Sequence, residues 1–377
     1  MMKCLHEPFR GCEITDLDTP SLLVDLDVME RNISWMQQKA QRAGVNLRPH
    51  IKTHRTPDIA KKQLAAGAKG ITVAKLGEGE VMAAEGIDDI FIANELAGDI
   101  KMDRLLALAR KTTLAVGVDH PDHVKMLAET FDGESRPMEI MIDVDTGYHR
   151  TGVGSKEEIL ELAKLIRYRD SLKLRGIFTH DGNCYNATTI SEVRSISQSS
   201  QNMMLEMAEF LRKEGIGVEE ISIGSTPSLL VSEIMQGITE IRPGTYVFLD
   251  ADQAGVIGTY EHCALSVLAT VISCPAPDRI VLDAGTKALT FYFHRGNITS
   301  SPGFGLLKKR PTVYLKSLSE EHGMFTPPED MAFRIGDKVE IIPNHACPTC
   351  NLYPVLYGVR NGQVQEEYKI LARGMSK

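Results

Sequence analysis

The amino-acid sequence predicts an α/β fold, a (β/α)8 barrel of the TIM type followed by a mostly-β domain. Three observations lead there. Between Pro20 and Ile223 short apolar runs alternate with helically spaced segments, eight times over, with glycine-bearing turns between them. Beyond Arg242 the apolar runs continue, but no helix-length period separates them. A chain of 377 residues with 43% hydrophobic content is also more than one small core can use, so a large domain and a smaller one are expected. An open doubly wound sheet is the alternative for the first part.

The elements follow in order. Residues 1–19 carry no periodicity and are expected to pack with the β domain. A buried strand is read over 21–27. Met29, Ile33, Met36 and Ala40 then give helical spacing until Gly44. The second strand is read over 46–53, followed by a helix over 57–66 that Gly67 stops. Further strands are expected over 70–75, 89–94, 113–118, 138–144, 174–179 and 218–223. Helices are expected between them over 78–84, 102–110, 123–130, 156–168 and 190–213. The barrel is placed at 20–245 and the β domain at 246–377, with strands over 264–272, 279–282 and 338–342.

Composition removes several function classes. The net charge is -8 and no basic run is long, which argues against a nucleic-acid partner. No apolar stretch approaches the roughly 20 residues of a membrane span. Residues 1–10 lack the apolar core of a signal segment, so a cytoplasmic location is expected. There the seven scattered cysteines, Cys4, Cys12, Cys184, Cys263, Cys274, Cys347 and Cys350, stay reduced.

Several stretches could carry chemistry. Arg48-Pro49-His50-Ile51-Lys52-Thr53-His54-Arg55 would deliver Lys52 at a strand's C-terminal edge, where barrel enzymes place their chemistry. Arg48 and Arg55 beside it would disfavour its ammonium. An amine so tuned can form a Schiff base with a carbonyl. A solvated basic loop has the same composition. Gly224-Ser225-Thr226 and Gly244-Thr245-Tyr246 are small-residue turns near the last strands, and their N–H and hydroxyl groups suit a phosphate. Arg150, after the sixth strand, could donate to a ring oxygen or nitrogen, or pair with Asp143 or Asp145. His180, after the seventh, could serve as acid or base, with Tyr185 as a donor to a ring. His345 and Cys347 stand two apart and would share one face of a strand. An imidazole and a thiolate so placed suit zinc or another divalent ion, with positions left for water and substrate. Cys350 is a possible third ligand.

Taken together, these pieces resemble the fold type III pyridoxal-phosphate (PLP) enzymes, and within them the D-threonine aldolase and D-serine dehydratase group. The likeness spans nearly the whole chain. It rests on 49–54, on 71–78, on Gly224-Ser225-Thr226-Pro227, on Arg242-Pro243-Gly244-Thr245-Tyr246, on 283–288 and on Pro343-Asn344-His345-Ala346-Cys347-Pro348. The resemblance implies that Lys52 carries PLP as a Schiff base. It implies that Gly224, Ser225, Thr226, Gly244, Thr245 and Tyr246 hold the phosphate. Arg150 and Tyr185 would touch the ring with His180 nearby, and His345 and Cys347 would bind a divalent metal, zinc or manganese, with magnesium or cobalt possible. It also implies a homodimer with shared active sites. Aldolases of the group can carry aspartate at the second metal position, whereas dehydratases resemble this chain in carrying cysteine.

The activity expected is that of a lyase for D-3-hydroxy amino acids, cleaving D-threonine-like substrates to glycine and an aldehyde with His180 as base. The alternative is a D-serine or D-3-hydroxyaspartate dehydratase giving a keto acid and ammonia. Amino acid racemisation needs no metal, and a non-catalytic PLP-binding protein needs no β domain, so the His345/Cys347 pair counts against both.

Overall fold

The computed structural model describes residues 10–377. Residues 1–9, including Cys4 and most of the segment read as lacking a signal core, lie outside the described residues. The chain divides into two compact units. One comprises Trp35–Lys52, Pro57–Gly244 and Gly374–Lys377. The other comprises Met1–Ser34, Thr53–Thr56 and Thr245–Arg373.

The first unit is the barrel. Its eight strands are Asn46–Leu47, Ile71–Val73, Asp89–Glu95, Thr113–Val118, Met138–Asp143, Leu172–Phe178, Glu220–Ile223 and Glu240–Ile241. All pair in parallel, consecutive strands from the second to the eighth side by side, and Glu240–Ile241 also pairs with Asn46–Leu47. A bridge between His50 and Thr72 joins the two ends of this sheet, with the Thr72 N–H donating to the Pro49 carbonyl at 2.8 Å. Short β-branched runs buried on both faces, such as Ile71–Val73, are what a strand between helices and barrel interior requires. The helices earn their places in the usual way. On Lys156–Arg167 the Ser155 hydroxyl accepts the Glu158 N–H at 3.2 Å while Glu158 accepts the Ser155 N–H at 3.0 Å, and Ile159, Leu162, Ala163 and Ile166 form the buried stripe.

The barrel interior is partly ionic. Arg48, fully buried, donates from Nε to Glu240 at 2.7 Å and from Nη1 to Asp89 at 2.6 Å. Gly70 is required beside it, because a Cβ there would lie 2.4 Å from the guanidinium. Arg242 donates to the Ser222 hydroxyl at 2.5 Å and to the Thr179 carbonyl at 2.7 Å, and its guanidinium lies over Phe178 and Phe91. Burial alone would push Glu240 up, but Arg48 and its hydrogen bonds bring it down to about 2.

The second unit is a mixed ten-stranded sheet. Ser21–Asp25 lies inside it, antiparallel to Leu265–Ala276 and parallel to Val355–Arg360. This corrects the sequence reading, which made that run the first barrel strand. The eighth barrel strand is instead Glu240–Ile241, two residues ended by Arg242-Pro243 and too short to show as an apolar run. Of residues 10–19, Gly11 donates to the Val364 carbonyl at 2.7 Å, and Leu17 packs with Leu23, Leu268 and Val364. Three short helices, Ala251–Ile257, Thr286–Leu289 and Ala346–Cys350, break the expected run of strands. Among the described residues no helix is long and apolar enough to cross a membrane.

Candidate active site

In the barrel unit, Lys52 does not end a long strand. The strand stops at Leu47, His50 makes the closing bridge, and Lys52 sits in the single turn Ile51–Thr53. The backbone fixes His50 from two sides. Its own N–H donates to the Pro243 carbonyl at 2.9 Å, and the Lys52 N–H donates to its Nδ1 at 3.4 Å. The ring's other nitrogen donates to the Thr72 carbonyl, so the imidazole is neutral. Burial first, and then Lys52, hold both His50 and His180 well below the ordinary histidine value. His180 donates to the Gly224 carbonyl. Its ring meets Tyr148 edge-on at 5.6 Å and lies 6.3 Å from Tyr185.

The loop after Met138–Asp143 is built by Asp145, whose Oδ1 accepts the N–H groups of Gly147, Tyr148 and His149. His149 can then take a positive φ of 56° and its ring pairs with Asp145 at 2.8 Å. Arg150, exposed, lies over the Tyr148 ring at 5.4 Å. Gly182 is needed at the foot of this cluster, since a Cβ there would meet Tyr148 at 2.7 Å. On the other side of His180, Gly224 at φ 111° opens the turn into Thr226–Val231. Ser225, Thr226 and Ser228 are buried, and the Thr226 Oγ1 has no partner. Gly244 lies in the same unit, whereas Thr245 and Tyr246 belong to the other, where both are buried.

In the β unit, His345 and Cys347 do not share a strand face. His345 is extended at the start of the helix Ala346–Cys350, and Cys347 lies within its first turn. Asp250 organises this corner. Its Oδ1 accepts the Gln253 N–H at 2.9 Å, and its Oδ2 accepts the Ala346 N–H at 2.8 Å and lies 3.1 Å from His345 Nδ1. The other ring nitrogen is turned to Cys347, and Tyr292 stacks on the ring at 4.6 Å. Burial alone would lower His345, but Cys347 and Asp250 outweigh it and hold it well above the usual value. Cys347 Sγ lies 3.2 Å from Thr53 Oγ1 and 3.7 Å from Thr245 Oγ1. Among the described residues no three His, Cys, Asp or Glu side chains are grouped to hold a metal, so Cys350 does not form such a group with His345 and Cys347.

Two further expectations change. Arg48 is neutralised by Glu240 and Asp89, so it is not the cation expected beside Lys52, whereas Arg55 keeps its charge and donates to the neutral Asn351 amide at 2.7 Å. Arg150 pairs with neither Asp143 nor Asp145 but covers Tyr148. Three residues escaped the sequence reading, namely His50, Tyr148 and Asp250. The first stood in view without a role. The last looked like a helix cap, and nothing in the chain ties it to a histidine 95 residues on.

Residues 24–252 match the family model described as alanine racemase, N-terminal domain, and residues 264–359 match the putative serine dehydratase domain. The chain is 34% identical over 373 residues to a D-threonine aldolase of Arthrobacter sp., covering 97% of this chain and 96% of that one. It is 35% identical over 367 residues to the D-threo-3-hydroxyaspartate dehydratase of Delftia sp., covering 93% and 96%. Solved structures of a D-threo-3-hydroxyaspartate dehydratase include a histidine-to-alanine variant and, metal-free, a variant with alanine for a cysteine two residues further on. The D-threonine aldolase of Filomicrobium marinum superposes with a TM-score of 0.88 at 30% identity, covering 98% of this chain and 99% of that one. A parallel barrel of this kind with an additional β domain defines the class of fold type III PLP enzymes. Within it, the chain belongs to the alanine racemase N-terminal domain family, in the branch of PLP-dependent lyases that holds the D-threonine aldolases and D-serine dehydratases.

The residues present fit that cofactor. An amine on a barrel turn, two neutral imidazoles, aromatic rings and a buried unpartnered hydroxyl at Thr226 match a carbonyl, a ring and a phosphate. The β-unit corner fits a divalent ion. A carboxylate on one nitrogen of a histidine, with the other nitrogen beside a thiol, is the arrangement that orients a metal ligand.

Proposed function

We propose that this chain is a PLP- and divalent-metal-dependent lyase that cleaves D-3-hydroxy amino acids of the D-threonine kind into glycine and an aldehyde. The observation that carries the proposal is Lys52, on its turn, electrostatically linked to two imidazoles held neutral. When bound, PLP supplies an electron sink for charge left at Cα, and the metal supplies a Lewis acid for the β-oxygen. Lys52 is the residue that would hold the cofactor covalently. Gly224, Ser225, Thr226, Gly244, Thr245 and Tyr246 would hold its phosphate through N–H and hydroxyl groups, and Arg150 and Tyr185 its ring. His180 already donates one ring N–H to the Gly224 carbonyl, which leaves its other nitrogen with a lone pair for the substrate's β-hydroxyl proton. His345 and Cys347 would hold the metal. The thiolate favours zinc, with manganese next and magnesium or cobalt possible. The family likeness supports a homodimer with shared active sites, working in the cytoplasm.

A second reading is favoured by Cys347 itself, the residue type that the related dehydratases carry there. In that case Lys52 Nζ takes the α-proton, the β-hydroxyl leaves, and the products are a keto acid and ammonia. Incubating metal-loaded, PLP-bound protein with D-threonine and D-serine separately decides between them. Acetaldehyde and glycine from the first establish the aldolase. Keto acid and ammonia from the second establish the dehydratase. Neither product from either substrate contradicts the lyase reading for these side chains, and D-3-hydroxyaspartate is the next substrate.

A further inference from the structure

Cys350 has no task in this reading. It is fully buried, and it forms no three-ligand group with His345 and Cys347. Its position has another consequence. Cys347-Pro348-Thr349-Cys350 occupies most of the short helix Ala346–Cys350. Side chains three residues apart on a helix share a face, with Cβ atoms about 5–6 Å apart. A disulfide needs about 3.5–4.5 Å, so a small tightening of one turn would close it. The settings of the two cysteines differ in a useful way. Cys347 is half-buried, with the hydroxyls of Thr53 and Thr245 beside it, and a small oxidant can reach it. Cys350 is sealed from solvent.

We propose that Cys347 and Cys350 are the site of a reversible disulfide, formed by a peroxide when no metal holds Cys347. In the first step the Cys347 sulfur attacks a peroxide oxygen. The O–O bond breaks, an S–O bond forms, and the thiol proton leaves with one water. In the second, the Cys350 sulfur attacks the oxidised Cys347 sulfur. The S–O bond breaks, the S–S bond forms, and the second thiol proton leaves with a second water. The two sulfurs lose two electrons and the peroxide gains them. Disulfide formation does not depend on the lyase reading. Its consequence does, because the bond would remove a metal ligand and so stop turnover until a thiol reductant restores it.

The test uses the full chain, stripped of metal with a chelator or loaded with zinc, and exposed to hydrogen peroxide. The readouts are the intact mass and the mass of the peptide spanning both cysteines. The stripped chain is expected to lose two hydrogens within that peptide, and dithiothreitol to restore them. Gain of oxygens on Cys347 with Cys350 unchanged would overturn the proposal. In Cys350→Ser the loss of two hydrogens should vanish and Cys347 should take up oxygens instead; the same mass loss in that variant would also overturn it. Zinc is expected to slow the reaction. Equal rates with and without zinc, with the disulfide still forming, would leave this site standing and count against Cys347 as a metal ligand.

Discussion

His50 and His180 in the barrel unit and His345 in the β unit are the same side chain, each half-buried, moved in opposite directions. Burial lowers all three. In the barrel the next influences are cations, first Lys52 and then Arg242 or Arg150, which push the same way. In the β unit they are Cys347 and Asp250, which reverse the sign. Neighbours, and not depth, therefore set the task. A neutral imidazole among cations keeps a ring lone pair free, whereas one held by a carboxylate is oriented for a ligand's role.

The comparison is broken most severely at Lys52. Lys52→Ala should abolish turnover and remove the absorbance of covalently held PLP, read in a spectrum of the purified protein. In the apo form it should also let His50 and His180 titrate closer to the ordinary histidine value, which NMR of the ring protons reads. Unmoved titrations would show that Lys52 does not set them. His180→Gln comes next. It should retain PLP but lower kcat by about a hundredfold to ten-thousandfold, the usual worth of a positioned acid or base. In the β unit, Asp250→Asn should weaken metal binding by about ten- to a hundredfold, measured by competition with a chelator, with the PLP spectrum unchanged.

The smallest effect is on stability. Burial first, then Glu95, raise Asp143 to about 7. An acid raised on folding binds its proton more tightly in the native state. Its contribution is therefore complete at acid pH and is lost as pH rises from the unfolded value, about 4, towards 7. Urea unfolding of Asp143→Asn should show a shallower fall in stability across that window than the parent chain.

Most of the barrel was legible because its strands are buried on both faces and read as apolar runs. Ser21–Asp25 was misplaced for the same reason, since a run at the centre of a mixed sheet has the same composition. Glu240–Ile241 was missed because two residues cannot make a pattern. In the site, Lys52, His180, His345 and Cys347 stand out by type and spacing. Their supports do not. The His345–Asp250 pair is a tertiary contact, and the turn at Ala346–Cys350 replaced an expected strand because Lys338–Ile342 leads straight towards it. Arg48 looked like a neighbour for Lys52 until its two carboxylates, far along the chain, were seen to neutralise it.

The measurement that bears most directly on this account is borohydride reduction of the PLP-loaded protein, followed by digestion and peptide mass mapping. Phosphopyridoxyl label on Lys52 is the predicted result. Label on another lysine, or none on any peptide, would contradict the assignment of the barrel turn as the cofactor's attachment point, and with it the role given to His180.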